Sequence, residues 1–225
     1  MFFIDRSKKI LMVNEQDSLP GRIDEMQFNE SHFVNNSSMK GPFPEGMSEI
    51  FLGMGCFWGA ERLFWNIEGV YVTSVGYAGG FTPNPLYEEV CSGLTGHTEV
   101  VHVVFDPKTI SLQEILKIFW EGHDPTQGMR QGNDMGTQYR SAIYYSDETL
   151  LDQIKKSEVN YSKALKKEGY PEITTEILPL EDYFYAEDYH QQYLAKNPNG
   201  YCGIGGCGVR PVSYTHLTLP TICSV

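Results

Sequence analysis

The sequence predicts a two-layer α+β domain, in which a layer of helices packs on a sheet. Runs of strand length and runs of helix length follow one another irregularly, and some of the predicted strands are neighbours along the chain. The length of 225 residues suits one sizeable domain with extensions, and a hydrophobic fraction of 41% is enough to build a packed core.

The first part of the chain, residues 1–47, is predicted to be an irregular extension. Turn-forming stretches such as Leu19-Pro20-Gly21-Arg22, Asn35-Asn36-Ser37-Ser38 and Gly41-Pro42-Phe43-Pro44 interrupt it too often for a stable core element. We expect it to wrap around the domain or to stay mobile. The globular domain is predicted over residues 48–209.

Strands are predicted where apolar or β-branched residues form short runs bounded by turn residues. The predicted strands cover residues 50–54, 70–76, 98–105, 138–145 and 173–178. Glycine-rich and proline-rich loops lie between them, and the most prominent cover residues 79–85 and 122–136.

Helices are predicted where apolar residues recur at helical spacing. Ser111 and Glu114 form a capping box that opens one of them. The other predicted helices cover residues 60–65, 147–167 and 187–196.

Cys56 lies between the first predicted strand and the first predicted helix, in the run Gly55-Cys56-Phe57-Trp58-Gly59. A thiol beside the free N–H groups of a helix start has a lowered pKa, so we expect a reactive thiolate at neutral pH. Phe57 and Trp58 are expected to form an apolar cup around it. The alternative is an inert structural cysteine, the usual state of a buried free cysteine.

Glu99 shares one face of a predicted strand with Val101, Val103 and Phe105, because side chains two residues apart point the same way. Burial among apolar side chains raises the pKa of a carboxyl group, and a group that stays protonated near neutrality can act as a general acid. The alternative is a glutamate at the strand end that reaches solvent.

Further polar groups fall in or beside the loops that flank these elements. Tyr87 and Tyr139 could bring hydroxyl donors to the same pocket, and Asp134 lies in the glycine-rich loop just before Tyr139. For any single tyrosine among the 14, packing in the core or on the surface is the alternative.

Cys202 and Cys207 lie in a glycine-rich segment near the end of the chain. Such a segment can move, so Cys202 could reach Cys56. A sulfenic acid condenses with a nearby thiol to form a disulfide, and a mobile second thiol suits that reaction.

Composition argues against several classes of function. A net charge of −12 leaves no basic stripe for a nucleic acid. No apolar run is long enough to span a membrane, and the N-terminus is a poor secretory signal. The five cysteines are too few and too uneven for a disulfide scaffold, and they show no zinc-site spacing. We therefore expect a cytoplasmic protein with no bound metal.

Ordered motifs run through about residues 48–209 of the chain. They are Gly55-Cys56-Phe57-Trp58-Gly59, Gly76-Tyr77 through Tyr87, Gly96-His97-Thr98-Glu99, His123-Asp124-Pro125-Thr126-Gln127, Gln131-Gly132-Asn133-Asp134, Gly136-Thr137-Gln138-Tyr139-Arg140, Ala186-Glu187-Asp188-Tyr189-His190-Gln191-Gln192-Tyr193 and Gly200-Tyr201-Cys202-Gly203. Together they resemble the class A peptide methionine sulfoxide reductases. The resemblance implies a two-layer α/β sandwich around a mixed sheet, for which we expect a ferredoxin-like core with long loops.

The resemblance also implies roles for the reacting groups. The Cys56 thiolate would attack the sulfoxide sulfur while Glu99 protonates the oxygen. Cys56 would become a sulfenic acid, Cys202 would resolve it to a disulfide, and thioredoxin would be the final reductant. The expected substrate is the S epimer of methionine sulfoxide, either free or in proteins and peptides. No metal or organic cofactor is implied, and we expect a monomer.

The resemblance implies supporting roles for the groups around the reacting pair. Tyr87 and Tyr139 would hydrogen-bond the sulfoxide oxygen, and Asp134 would help to organise the pocket. Phe57 and Trp58 would hold the S-methyl group.

The end of the chain departs from the family pattern. Relatives with three catalytic thiols carry a second recycling cysteine after a Gly-Val pair, but here Gly208-Val209 is followed by Arg210. Cys207 lies nearer to Cys202, which puts its role as a second resolving thiol in doubt. Residues 210–225 match nothing in the family, and residues 212–217 read like a translated sequencing adaptor. We expect this tail to be a sequencing or assembly artefact, so Cys223 is given no role.

Three other functions stay open on the residues alone. A thiol peroxidase also forms a sulfenic acid but needs an activating arginine and threonine, and Arg62 is weak evidence for them. A hydrolase would pair Cys56 with His97 or His190 as the base. A methionine-binding module would keep the aromatic residues without needing Cys202.

Overall fold

A computed structural model describes residues 9–211 of the chain. The main sheet consists of β1 (Ser48–Met54), β2 (Val70–Ala78), β3 (Thr98–Phe105), β6 (Ser141–Tyr145), β7 (Glu176–Pro179) and β8 (Tyr183–Tyr185), and a small hairpin consists of β4 (Arg130–Gln131) and β5 (Asp134–Met135). The helices are α1 (Phe57–Arg62), α2 (Tyr87–Ser92), α3 (Leu112–Gly122), α4 (Leu151–Lys167) and α5 (Tyr193–Lys196).

The main sheet has six strands in the order β7-β6-β1-β3-β2-β8. Its four central strands are antiparallel, and their order β6-β1-β3-β2 with helices α1 and α3 in the connections is the ferredoxin-like arrangement. Strand β7 pairs in parallel with β6, which makes the sheet mixed. The predicted α+β class, the mixed sheet and the ferredoxin-like core are confirmed.

The main hydrophobic core lies between the sheet and helices α1, α3 and α4. Ile115, Leu116 and Phe119 of α3 pack there with Ile154 and other residues of α4. The Ser111–Glu114 capping box that opens α3 is present in the structure, with the Glu114 N–H donating to the Ser111 hydroxyl at 3.3 Å. The predicted amphipathic pattern of both helices is therefore confirmed.

The opposite face of the sheet is covered by part of the N-terminal segment. Met39 packs against Val72 and Val104, with Phe28 and Phe43 beside them. One side of the extension is therefore buried against the sheet, on the face opposite the helices.

Polar contacts tie the same segment to the rest of the domain. Nε2 of the buried His32 donates to the Thr73 hydroxyl at 3.1 Å, and that hydroxyl donates to the buried carboxylate of Glu61 in α1 at 2.9 Å. Arg22 forms a bidentate pair with Glu89 of α2, at 2.7 and 3.0 Å. The extension therefore contacts α2 directly and is linked to α1 through Thr73 of β2.

The predicted helix over residues 187–196 is wrong over most of its length, because only Tyr193–Lys196 is helical. Gln192 has a left-handed backbone, with a φ of 48°. The backbone N–H of Val75 in β2 donates to the side-chain oxygen of Gln191 at 2.9 Å, and the side-chain NH2 group of Gln191 donates to the C=O of Val75 at 2.8 Å. This tertiary pairing holds the segment in turns instead of a helix.

Other boundaries also differ from the predictions. The first helix begins at Phe57, three residues earlier than predicted, and residues 137–139 form a 3₁₀ turn before β6. Helix α2 and strand β8 were not predicted, and the hairpin β4–β5 lies inside the predicted loop 122–136. Each of these elements is short, and tertiary contacts outweigh local propensity in such segments.

Arg140 is a buried cation that joins several elements, with only 2% of its surface exposed. Its Nε donates to Glu176 at 2.9 Å, and its Nη atoms donate to the carbonyl oxygens of Thr137 and Gly79 at 2.9 and 3.0 Å. We expect Arg140→Met to lower the free energy of unfolding by about 3 kcal/mol, because it leaves the Glu176 carboxylate without its cation and removes the guanidinium donor from two carbonyl groups.

Urea denaturation at neutral pH measures this loss. Lys155→Met is the matched control, because it removes an exposed ion pair with Glu158 and should change stability by less than about 0.5 kcal/mol. Equal losses for the two variants would contradict the structural role of Arg140.

Candidate active site

Cys56 lies at the sharp turn between β1 and α1, as predicted, where it is the residue that caps the helix. Gly55 before it has a φ of +87°, and a Cβ there would lie 2.6 Å from the Gln131 side chain. Only glycine fits this position without strain. The turn therefore holds Cys56 where β1 ends and α1 begins, with its side chain partly exposed.

Glu99 lies one residue into β3 and is 1% exposed. Its Oε2 accepts a hydrogen bond from the backbone N–H of Phe57 at 3.0 Å, which places the carboxyl group beside the start of α1. Burial raises the pKa of Glu99 to about 8, and the charge of Asp134 adds to the rise. The expected desolvation of this carboxyl group is confirmed, and a solvent-reaching glutamate is excluded.

The prediction that Cys56 has a lowered pKa is wrong. Burial raises the pKa of the thiol well above its ordinary value, and the charge of Glu99 raises it further. The N–H groups of Trp58 and Gly59 act in the opposite direction but are the smaller effect. A six-residue helix supplies too few donors to offset the burial and a neighbouring carboxylate.

Tyr87 and Tyr139 both border the space next to Glu99. Burial raises the pKa of each phenol well above its ordinary value, and Glu99 is the charge that contributes most to both rises. Both hydroxyl groups are therefore protonated donors at neutral pH. Tyr87 is the first residue of α2, and its N–H donates to Glu187 at 2.7 Å, which fixes that end of the helix.

Asp134 lies in β5, at the edge of the same site. The Tyr201 hydroxyl donates to its two carboxylate oxygens at 3.2 and 3.1 Å. Its negative charge also contributes to the raised pKa values of Glu99 and Cys56. Asp134 therefore connects the reacting groups to the C-terminal segment that carries Cys202.

Phe57 and Trp58 differ in exposure. Phe57 is 1% exposed and belongs to the main core, whereas Trp58 is partly exposed. The indole ring of Trp58 stacks on Tyr193, with ring centroids 4.0 Å apart, and its Nε1 donates to Nδ1 of His190 at 2.9 Å. Trp58 therefore presents the open aromatic surface, and Phe57 lies behind it.

Three residues that hold this surface in place were not predicted to do so. They are Glu187, His190 and Tyr193, and all lie in the stretch that was predicted to be one helix. His190 was considered only as the base of a hydrolase. Burial lowers the pKa of His190 to about 4, so the ring is neutral and can accept from Trp58. The dense aromatic and acidic composition of residues 186–193 was the available sign of their role.

The two cysteines of the C-terminal segment occupy different places. Cys202 lies over α1: a Cβ on Gly59 would be 3.1 Å from its Sγ, and Nη2 of Arg62 donates to that Sγ at 3.1 Å. Cys207 packs against the core near α4, where the Tyr170 hydroxyl donates to its carbonyl oxygen at 3.0 Å.

The surroundings of Cys207 also keep its sulfur protonated. Burial and the neighbouring Asp124 raise the pKa of Cys207 to about 12. The structure thus brings Cys202, and not Cys207, to the helix that begins at Cys56. Cys223 and residues 212–217 lie outside the described residues.

Residues 9–211 contain no cluster of three or more His, Cys, Asp or Glu side chains suited to a metal ion. None of the helices in this range combines the length and the apolar character needed to cross a membrane.

The raised pKa of Cys56 has a direct consequence for thiol chemistry. A thiol reacts through its thiolate, so we expect iodoacetamide to label Cys56 slowly at pH 7, with a rate that still increases above pH 9. Glu99→Gln removes a neighbouring negative charge and should increase the rate at pH 9 about three- to tenfold. Mass spectrometry of the Cys56 peptide in a Cys202→Ser background measures both rates. A plateau below pH 8 would contradict the raised pKa.

Comparison with known proteins identifies the family. The family model described as peptide methionine sulfoxide reductase matches residues 48–210. The chain is 60% identical over 218 residues to peptide methionine sulfoxide reductase MsrA 1 of Synechocystis sp., covering 97% of this chain and 98% of that protein. It is 62% identical over 201 residues to MsrA of Vibrio parahaemolyticus, covering 89% and 95% of the two chains.

Solved structures give the same result. Methionine sulfoxide reductase A of Corynebacterium diphtheriae superposes with a TM-score of 0.81 at 46% identity, covering 88% of this chain and 99% of that one. Reduced Mxr1 of Saccharomyces cerevisiae superposes with a TM-score of 0.66 at 37% identity, covering 72% and 91%. The chain therefore belongs to the peptide methionine sulfoxide reductase family, as an enzyme of the MsrA class and not a peroxidase, a hydrolase or a binding module.

Proposed function

We propose that this enzyme reduces the S epimer of methionine sulfoxide, free or in proteins and peptides, with Cys56 as nucleophile and Glu99 as general acid. The observation that carries the proposal is the buried Glu99 carboxyl group, which contacts the first N–H of the helix that Cys56 begins. Burial raises the pKa of Glu99 to about 8, so that the group holds a proton at neutral pH. The S epimer is proposed from the family to which the chain belongs.

In the proposed reduction, the Cys56 sulfur attacks the sulfoxide sulfur, and Glu99 protonates the oxygen. The thiol proton replaces the one that Glu99 has given up, so no proton is left over. The S–O bond of the sulfoxide breaks, methionine leaves, and the hydroxyl group is transferred to the Cys56 sulfur, which becomes a sulfenic acid. Two electrons have then passed from the Cys56 sulfur to the substrate sulfur. The raised pKa of Cys56 fits this exchange, because the thiol would lose its proton only as the oxygen gains one.

The other groups are proposed to bind the substrate. Tyr87 and Tyr139, protonated because their pKa values are raised, would donate hydrogen bonds to the sulfoxide oxygen. Trp58 would contact the S-methyl group, with Phe57 behind it. Asp134 would organise the pocket through its contact with Tyr201.

The second half of the proposed cycle regenerates the thiol. Cys202 attacks the Cys56 sulfenic acid, a disulfide forms, and thioredoxin reduces that disulfide. The position of Cys202 supports this role, because its sulfur lies against α1, the helix that begins after Cys56. The cycle would use residues 48–209, with residues 1–47 as an extension, and would need no cofactor besides thioredoxin. We propose a monomeric enzyme in the reducing environment of the cytoplasm.

Single-turnover reduction of the separated S and R epimers of a methionine sulfoxide peptide tests the proposal. The reduced wild-type protein is expected to convert the S epimer alone, and Cys56→Ser should convert neither. Peptide products are separated by chromatography, without any added reductant. Conversion of the R epimer at a similar rate, or full activity of Cys56→Ser, would overturn the proposal.

A further inference from the structure

We propose that Arg62 acts in the second half of the cycle, where it holds the sulfur of Cys202 for attack on oxidised Cys56. This inference rests on the proposed function. It starts from one contact that the reduction step does not use, the hydrogen bond of 3.1 Å that Nη2 of Arg62 donates to Sγ of Cys202.

Arg62 and Cys56 lie at opposite ends of the same short helix, α1. Cys56 caps the start of this helix and Arg62 is its last residue. Gly59 lies between them, three residues after Cys56, and residues three apart lie on the same side of a helix. A Cβ on Gly59 would be 3.1 Å from Sγ of Cys202. The resolving sulfur therefore lies on the side of the helix that faces Cys56, and the guanidinium group holds it there from the far end.

The lack of a side chain at Gly59 lets the segment that carries Cys202 lie close to α1. A Cβ on Gly59 would also lie 2.9 Å from Cγ2 of Ile204, so any larger residue would push the Cys202 segment away from α1. Both cysteines are reduced in the structure, so the contact between Arg62 and Cys202 exists before any disulfide forms.

The chemistry of the resolving step explains why a guanidinium group helps. The Cys202 sulfur attacks the sulfur of the Cys56 sulfenic acid, the S–S bond forms and the S–O bond breaks. The proton of the Cys202 thiol ends on the departing oxygen, which leaves as water. Negative charge builds up on the Cys202 sulfur as its proton leaves, and a charged donor binds a charged acceptor more strongly than a neutral one. Arg62 therefore assists the step in which the thiol becomes a nucleophile.

Arg62 separates the two steps experimentally. In rapid-quench experiments, Arg62→Met should form methionine at a rate within about twofold of wild type, since Arg62 lies outside the reduction site. Formation of the Cys56–Cys202 disulfide should slow about tenfold, which corresponds to the loss of one hydrogen bond to a charged group. Arg62→Lys keeps the charge and should recover part of the rate.

The matched control is Lys117→Met, which removes an exposed positive charge from the neighbouring helix α3 and should change neither step. Disulfide formation at the wild-type rate in Arg62→Met would overturn the proposal, and so would equal slowing of both steps. Failure of the proposed function is distinguished by forming the Cys56 sulfenic acid with excess hydrogen peroxide at pH 9, where more of the Cys56 thiol is ionised, in place of a sulfoxide, and by following loss of the Cys56 thiol and formation of the disulfide separately. The Arg62 variants should then show the same tenfold difference in disulfide formation, whether or not methionine sulfoxide is a substrate.

Discussion

Glu99→Gln is expected to slow the single-turnover reduction of methionine sulfoxide by about a hundred- to ten-thousand-fold, the usual range for loss of a general acid. Glutamine has nearly the same shape and can still accept from the N–H of Phe57, so the fold should be retained. It cannot hand a proton to the sulfoxide oxygen or take one from the thiol. Rapid-quench measurement of methionine formation determines the loss.

The pH dependence of the same step gives a second result. The pKa of Glu99 is raised to about 8, so wild-type activity should fall as the pH increases through 8 and Glu99 loses its proton. Glu99→Gln should lack this fall, because glutamine does not titrate. Glu88→Gln, an exposed substitution in α2, is the control and should keep both the rate and the pH profile. A rate within tenfold of wild type for Glu99→Gln would remove Glu99 as the acid.

Cys202→Ser is expected to complete one turnover at the wild-type rate and then stop. Multiple turnover with thioredoxin should fall by about a hundredfold or more, because the Cys56 sulfenic acid has lost the thiol that condenses with it. Comparison of the first-turnover amplitude with the steady-state rate measures the two effects in one experiment.

Cys207→Ser is the matched control for this prediction. Burial and Asp124 raise the pKa of Cys207 to about 12, and its segment packs against the core, so neither phase should change by more than about twofold. Sustained turnover of Cys202→Ser with thioredoxin would contradict the role of Cys202 and would indicate recycling through Cys207 or directly at Cys56.

Much of the fold was predictable because its main elements follow simple patterns. Strand β3 matches the prediction residue for residue, since Thr98–Phe105 is flanked by clear turn residues. The same pattern places Glu99 on the core-facing side. The capping box at Ser111 predicts the start of α3 for the same kind of local reason.

The remaining features depend on tertiary contacts that no local pattern encodes. The segment over 187–196 has helical spacing but is held in turns by the pairing of Gln191 with Val75. The pKa of Cys56 depends on the burial of its turn and on the distant Glu99, and these outweigh the local helix start. The place of Cys207 beside Tyr170 likewise comes from packing of the C-terminal segment, since its glycine-rich sequence sets no position.

The central claim is that Cys56 itself takes the oxidation from the substrate. Trapping with dimedone, which reacts with sulfenic acids, tests it directly in Cys202→Ser after one turnover of methionine sulfoxide. We expect mass spectrometry to find one dimedone adduct per methionine formed, and to find it on the peptide that contains Cys56. Methionine formed without this adduct, or an adduct on Cys207 or on Cys91, the free cysteine in α2, would contradict the claim.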